Sequence, residues 1–91
     1  LMQAIRKMSL MPARRLESRV ASMANKGRIS IGSDADLVLF DPNIVIDEST
    51  YREPNTPSNG IKHVLVDGVP VVKSGRIQEG LNPGEPVRSN V

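Results

Sequence analysis

The chain has no cysteine and no tryptophan, and only one phenylalanine, one tyrosine and one histidine. Without cysteine there is no disulfide framework and no thiolate nucleophile or ligand. Aromatic residues make up 2% of the chain, so its core must be aliphatic, and the stacking surface used by single-strand nucleic-acid binders is missing. A lone imidazole excludes a His-x-His pair and any centre within these residues that needs several histidines. No apolar run approaches the roughly 20 residues of a membrane span. Leu1–Met11 is too interrupted by Arg6 and Lys7 to be the apolar stretch of a signal peptide. No membrane partner is expected, and the absence of cysteine is compatible with the cytoplasm, which is the expected location.

What is present is small and aliphatic. Of 91 residues, 38% are hydrophobic, and a domain of this length buries roughly 60–65% of its unfolded surface and is marginal without help. Leu1 in place of an initiator methionine fits an excised piece of a longer chain, while Met2 is compatible with a native start. The net charge of +2 conceals an asymmetry: residues 1–28 carry seven basic residues against Glu17, whereas residues 29–91 carry five basic against nine acidic. The basic part reads as helix. Leu1, Ala4, Ile5 and Met8 fall on one face and Ala13, Leu16, Val20 and Met23 on another, with Pro12 suited to a first helical turn. A basic amphipathic segment can bind nucleic acid or an anionic surface. Lacking aromatic residues and a nucleic-acid motif, it is read here as a solvated helix face, and no nucleic-acid partner is expected.

The second part reads as sheet. Arg28 to Ile31 alternates polar and apolar residues, Gly32 breaks the run where a positive φ costs nothing, and Asp36 opens the apolar run Leu37 to Phe40. A short run bounded by Gly and Pro predicts a strand buried on both faces. Ile61–Val66 and Val69–Lys73 are separated by Asp67-Gly68, a strong hairpin signal because a primed turn needs φ > 0. A second reversal follows at Ser74-Gly75. The fold class is therefore α+β: N-terminal helices, then a small, mostly antiparallel β-sheet. Between strands, 41–59 is an irregular excursion, because Pro54 and Pro57 remove ladder donors. The tail 81–91, with Pro83, Gly84 and Pro86, is expected to be extended and partly disordered.

Chemistry inside the chain is sparse. His63 in IKHVLV is expected at a sheet surface in a structural role. Asp34 and Asp36 are two apart and Asp47 and Glu48 adjacent, as oxygen ligands of a cation could be. There is no EF-hand spacing, and turn-forming bonds from Asp34 and Asp36 to backbone N–H groups are the expectation. The serines lack a Gly-x-Ser-x-Gly elbow, and the glycines are spread as turn punctuation rather than clustered as a phosphate cradle.

Taken with their spacing, IRKMSLMPARRL, GRISIGSDADLVLFDP, IDESTYREPNTPSNGI, HVLVDGVPVVKSG and NPGEPVR resemble the C-terminal part of the metal-dependent amidohydrolases, most closely the N-acyl-D-amino-acid deacylase (D-aminoacylase) branch. The resemblance implies a parent enzyme with a (β/α)₈ barrel, which needs roughly 250 residues, and a composite β-domain built from both chain ends. Residues 1–26 would be terminal barrel helices and 27–91 the C-terminal share of that β-domain. By the same resemblance the parent holds one or two divalent metals, usually zinc, which lower the pKa of a bound water. Every ligand would lie upstream, so this chain would hold no catalytic, metal or cofactor residue. Its partners would be the upstream barrel and the N-terminal β-strands of the same protein, with homo-oligomer contacts as a further expectation. The excursion borders the active-site side in that family, which makes Tyr51 and Arg52 the substrate-proximal candidates. Two departures stand out: 17–26 is a longer, more polar link than the family's, and Glu85 stands where a basic residue is commoner.

Other readings are a dihydroorotase-like or hydantoinase-like cyclic amidohydrolase, a stand-alone β-module binding a protein through a sheet edge, and a basic nucleic-acid binder.

Overall fold

Two compact units make up the chain in the computed structural model, which describes residues 1–89. The expectation of a partly disordered tail falls in part on residues 90–91, outside that range. Residues 1–35, with the tail segment that begins at Gly84, form the first unit; 36–83 form the second.

The first unit opens with a broken helix, α1 (Met2–Met8) and α2 (Leu10–Leu16). Pro12 accounts for the break. It stands in the first turn of α2, as expected, and its ring clashes with the carbonyl four residues back, that of Met8. Ser9 takes the bend at φ −122° and ψ −73°. Helical hydrogen bonding does not continue through the second predicted face. Arg19 and Val20 both donate to the Leu16 carbonyl at 2.9 Å, Val20 is extended, and Ala21–Asn25 is a 3₁₀ turn. Val20 and Met23 therefore lie outside the helix they were expected to extend. Ala13 is buried, 2% exposed, and is the only buried hydrophobic side chain among the described residues. Gly27 packs beside it at φ +68°, and a Cβ there would stand 2.4 Å from the Ser9 carbonyl oxygen and 3.0 Å from the Ala13 Cβ. The alternation at Arg28–Ile31 forms no strand. Ile29 and Ile31 are fully exposed, and Ser33 N–H instead closes a turn on the Ser30 carbonyl at 3.1 Å.

The second unit is a four-stranded antiparallel sheet of β1 (Leu37–Phe40), β2 (Ile61–Val66), β3 (Val69–Lys73) and β4 (Arg76–Ile77), in that spatial order. Both predicted reversals are present. Asp67 and Gly68 have φ of 50° and 76°, and Ser74 and Gly75 have 52° and 77°, the all-positive pair of the primed hairpin turn. Register partners share a face, so Val38, Val64, Val72 and Ile77 form one aliphatic row across all four strands. Pro70 sits in β3 opposite Leu65, next to a register shift between Val64 and Leu65, the irregularity a donor-less residue requires.

Burial of β1 on both faces does not hold. It is an edge strand, and Val38 and Leu39 are 54% and 50% exposed. Its start is fixed by Asp36, whose carboxylate accepts the Asp67 N–H at 2.8 Å, as expected of a strand-entry aspartate. Large hydrophobic side chains are exposed in both units, including Met2, Met8, Ile31, Ile46 and Ile77.

Candidate functional site

The excursion between β1 and β2 carries both sequence-predicted candidates, Tyr51 and Arg52. It is a succession of side-chain-closed turns. Asp41 accepts the Asn43 N–H at 2.9 Å, and its carbonyl accepts Val45 N–H at 2.9 Å. Asp47 accepts the N–H of Ser49 at 2.9 Å and also its hydroxyl, and these two bonds hold the Asp47 carboxyl below its ordinary value of 3.8. Thr50 Oγ1 accepts Glu53 N–H at 3.0 Å, and the Thr56 hydroxyl donates to the Glu53 carbonyl at 3.0 Å. Asx and Ser/Thr turns of this kind replace ladder bonds in a proline-broken segment.

Ile46 and Asn59 then bridge reciprocally at 3.0 and 3.1 Å. The returning chain passes through Gly60 at φ +85°, where a Cβ would lie 2.6 Å from both Cα and N of Val45. Tyr51 is fully exposed and lines a shallow surface depression with Ser49, Thr50 and Pro54. Arg52 is exposed next to it in sequence but does not line the depression. Tyr51 is the titratable side chain among these lining residues, and the depression offers hydroxyl and aromatic contacts.

The remaining candidates are dispersed. Asp34 makes an ion pair with Lys26 at 2.8 Å, which corrects the expectation of backbone N–H partners. His63 is half-buried, and its Nδ1 accepts the Ser74 N–H at 3.2 Å, a structural role that pins the β3–β4 turn to β2. Sequence reasoning missed Gly27 and Gly60 as close-approach positions. Their partners Ser9 and Val45 are distant in sequence, and no local pattern announces them.

No protein-family model matches the chain, and no solved structure matches it. Curated relatives do match. An N-acyl-D-glutamate deacylase of Alcaligenes xylosoxydans xylosoxydans is 43% identical over 68 residues, 75% of this chain and 13% of the relative. A D-aminoacylase of the same organism is 43% identical over 49 residues, 54% of this chain and 10% of the relative. A dihydroorotase of Clostridium botulinum (strain Eklund 17B / Type B) is 41% identical over 75 residues, 78% of this chain and 17% of the relative. The matched stretch is amidohydrolase-family sequence. The chain spans less than a fifth of the length of each of these relatives.

Amidohydrolase relatives imply metal dependence in the parent family, but the residues of this amidohydrolase-family stretch do not fit a metal. Among the described residues no three His, Asp or Glu side chains converge, and the single imidazole is engaged through Nδ1. No helix among the described residues is long and apolar enough to cross a membrane.

Proposed function

We propose that this chain is the non-catalytic C-terminal segment of a longer amidohydrolase that cleaves amide C–N bonds, of the N-acyl-D-amino-acid deacylase kind. The carrying observation is the disproportion of the match: 75% of this chain corresponds to 13% of the N-acyl-D-glutamate deacylase. The exposed aliphatic side chains of both units support the same reading, because surface of that kind is usually covered. In the complete protein the segment would supply terminal barrel helices and part of a composite β-domain. The upstream barrel and N-terminal strands are its proposed partners, zinc held upstream the proposed metal, and the cytoplasm the proposed location. Tyr51 and Arg52 are proposed to stand near the substrate.

The dihydroorotase match covers 78% of this chain and favours a second reading, a cyclic amidohydrolase. An antibody against this chain should detect a native polypeptide several times larger than 9.9 kDa, and a species near that mass would overturn the proposal. Assay of the larger polypeptide on N-acyl-D-glutamate, other N-acyl-D-amino acids and dihydroorotate separates the two readings. In it, Tyr51→Ala should raise KM with kcat little changed; an unchanged KM would remove Tyr51 from the substrate's surroundings.

A further inference from the structure

We propose that the Ser74–Gly75 end of the sheet is a binding site for a phosphate-type oxyanion, formed by Lys73, Arg76 and His63. Lys73 and Arg76 are register partners across β3 and β4, so their side chains leave the same face opposite one another, an arrangement that like charges destabilise. Neither makes an ion pair among the described residues, and nor does Lys62, although residues 36–83 hold seven acidic residues against four basic ones. Asp41 lies at this end of the sheet through its N–H bond to the Gly60 carbonyl at 3.0 Å, and its carboxylate accepts the Asn43 N–H without pairing with Lys73 or Arg76.

One step along β2 and β3 from the Val64–Val72 pair brings His63 beside Lys73. The Ser74 N–H donates to His63 Nδ1 at 3.2 Å, which leaves Nε2 to carry the ring proton as a donor. Gly75 N–H donates to the Lys62 carbonyl at 2.9 Å, holding the turn against β2. Two charges and an oriented imidazole N–H outnumber the two oxygens of a carboxylate. They suit a dianion with three acceptor oxygens, with the Arg76 fork taking two of them. The shared chemistry is the phosphate group, free or as a monoester, and the site needs none of the amide chemistry proposed above.

The test is a proton–nitrogen NMR titration of the full 91-residue chain at constant pH and low ionic strength. Inorganic phosphate is used in one arm, phenyl phosphate in the other, and sodium chloride as control. The Ser74 and Gly75 amides and the His63 ring protons should shift saturably, with half-saturation at about millimolar phosphate as expected for an exposed site. Saturation by both anions identifies a monoester site, and saturation by inorganic phosphate alone a free-ion site. Lys73→Gln and Arg76→Gln should each weaken binding about tenfold. Both substitutions relieve the charge opposition, and an unchanged Gly75 amide will show that the hairpin is kept. The absence of saturable shifts, the same shifts with chloride, shifts confined to Arg6, Lys7, Arg14 and Arg15, or undiminished binding by the K73Q/R76Q double variant would each overturn the proposal.

Discussion

The two units keep their shape by different means. In residues 1–35 the polar ties run between side chains: Lys26 to Asp34 at 2.8 Å and Arg28 to Glu17 at 2.9 Å, with Arg28 also donating to the Lys26 carbonyl. Around them Gly27 closes on Ser9 and Ala13. In residues 36–83 no ion pair joins the sheet to the excursion among the described residues; side chains tie to backbone instead, as Asp36 does to Asp67 and His63 to Ser74. Neither unit has much of a core. Where burial is scarce, specific short contacts decide the conformation, and a short helix pair and a short sheet reach that point by separate chemistry.

The largest break in this comparison is expected at the two close-approach glycines. Gly27→Ala and Gly60→Ala each combine a positive φ with backbone contacts under 3 Å, and should cost about 3 kcal/mol each. Gly27→Ala should unfold residues 1–35 while the β2–β3 amides keep their hydrogen-exchange protection. Gly60→Ala should do the reverse. Gly32→Ala, where no heavy atom lies within 4 Å of the new Cβ, isolates the strain alone, about 1 kcal/mol. Equal losses at positions 27 and 32 would show that φ, not contact, governs.

Asp36→Ala should come next. It leaves the Asp67 N–H without its carboxylate and should cost about 1 kcal/mol, visible as a lowered denaturation midpoint with an unchanged slope. The ion pairs of the first unit are half-exposed, so raising sodium chloride to about 1 M should weaken that unit by a few tenths of a kcal/mol and leave the sheet unmoved.

The smallest effect belongs to Asp47. Its carboxyl is held below the ordinary 3.8 by the hydroxyl and N–H of Ser49, so the folded turn binds its proton less readily than the open chain. The turn's contribution is therefore fully present above that ordinary value and is lost as pH falls through the lowered one. The Ser49 amide shift followed against pH should show this midpoint, and Ser49→Ala should move it upward.

Which of these features could be read from the sequence follows their range. Asp67-Gly68 and Ser74-Gly75 were legible because a primed turn is settled by two adjacent residues, and the β-branched runs beside them had no other use. Pro12 was legible as a first-turn residue, but its effect on the Met8 carbonyl, which ends α1, was not drawn from it. Arg28–Ile31 misled because alternation is only the signature of a half-buried strand, and no strand among the described residues pairs with it. The apolar run of β1 misled in another way: a run buried on both faces and an exposed edge run have the same letters. Of the candidate site, the exposed Tyr51 and Arg52 were legible as loop residues. The anion-binding arrangement was not, since Lys73 and Arg76 become opposed only through the register set by the turn between them.

The unequal connections of the sheet carry a consequence in time. β2, β3 and β4 are joined by two-residue reversals, whereas β1 reaches β2 across residues 41–60. Closing the longer connection costs about 2 kcal/mol more chain entropy than closing a two-residue turn. The paired hairpins should therefore form within microseconds as a local unit, and β1 should join afterwards at the rate its long connection allows. The edge strand is then the last to arrive and the first to leave.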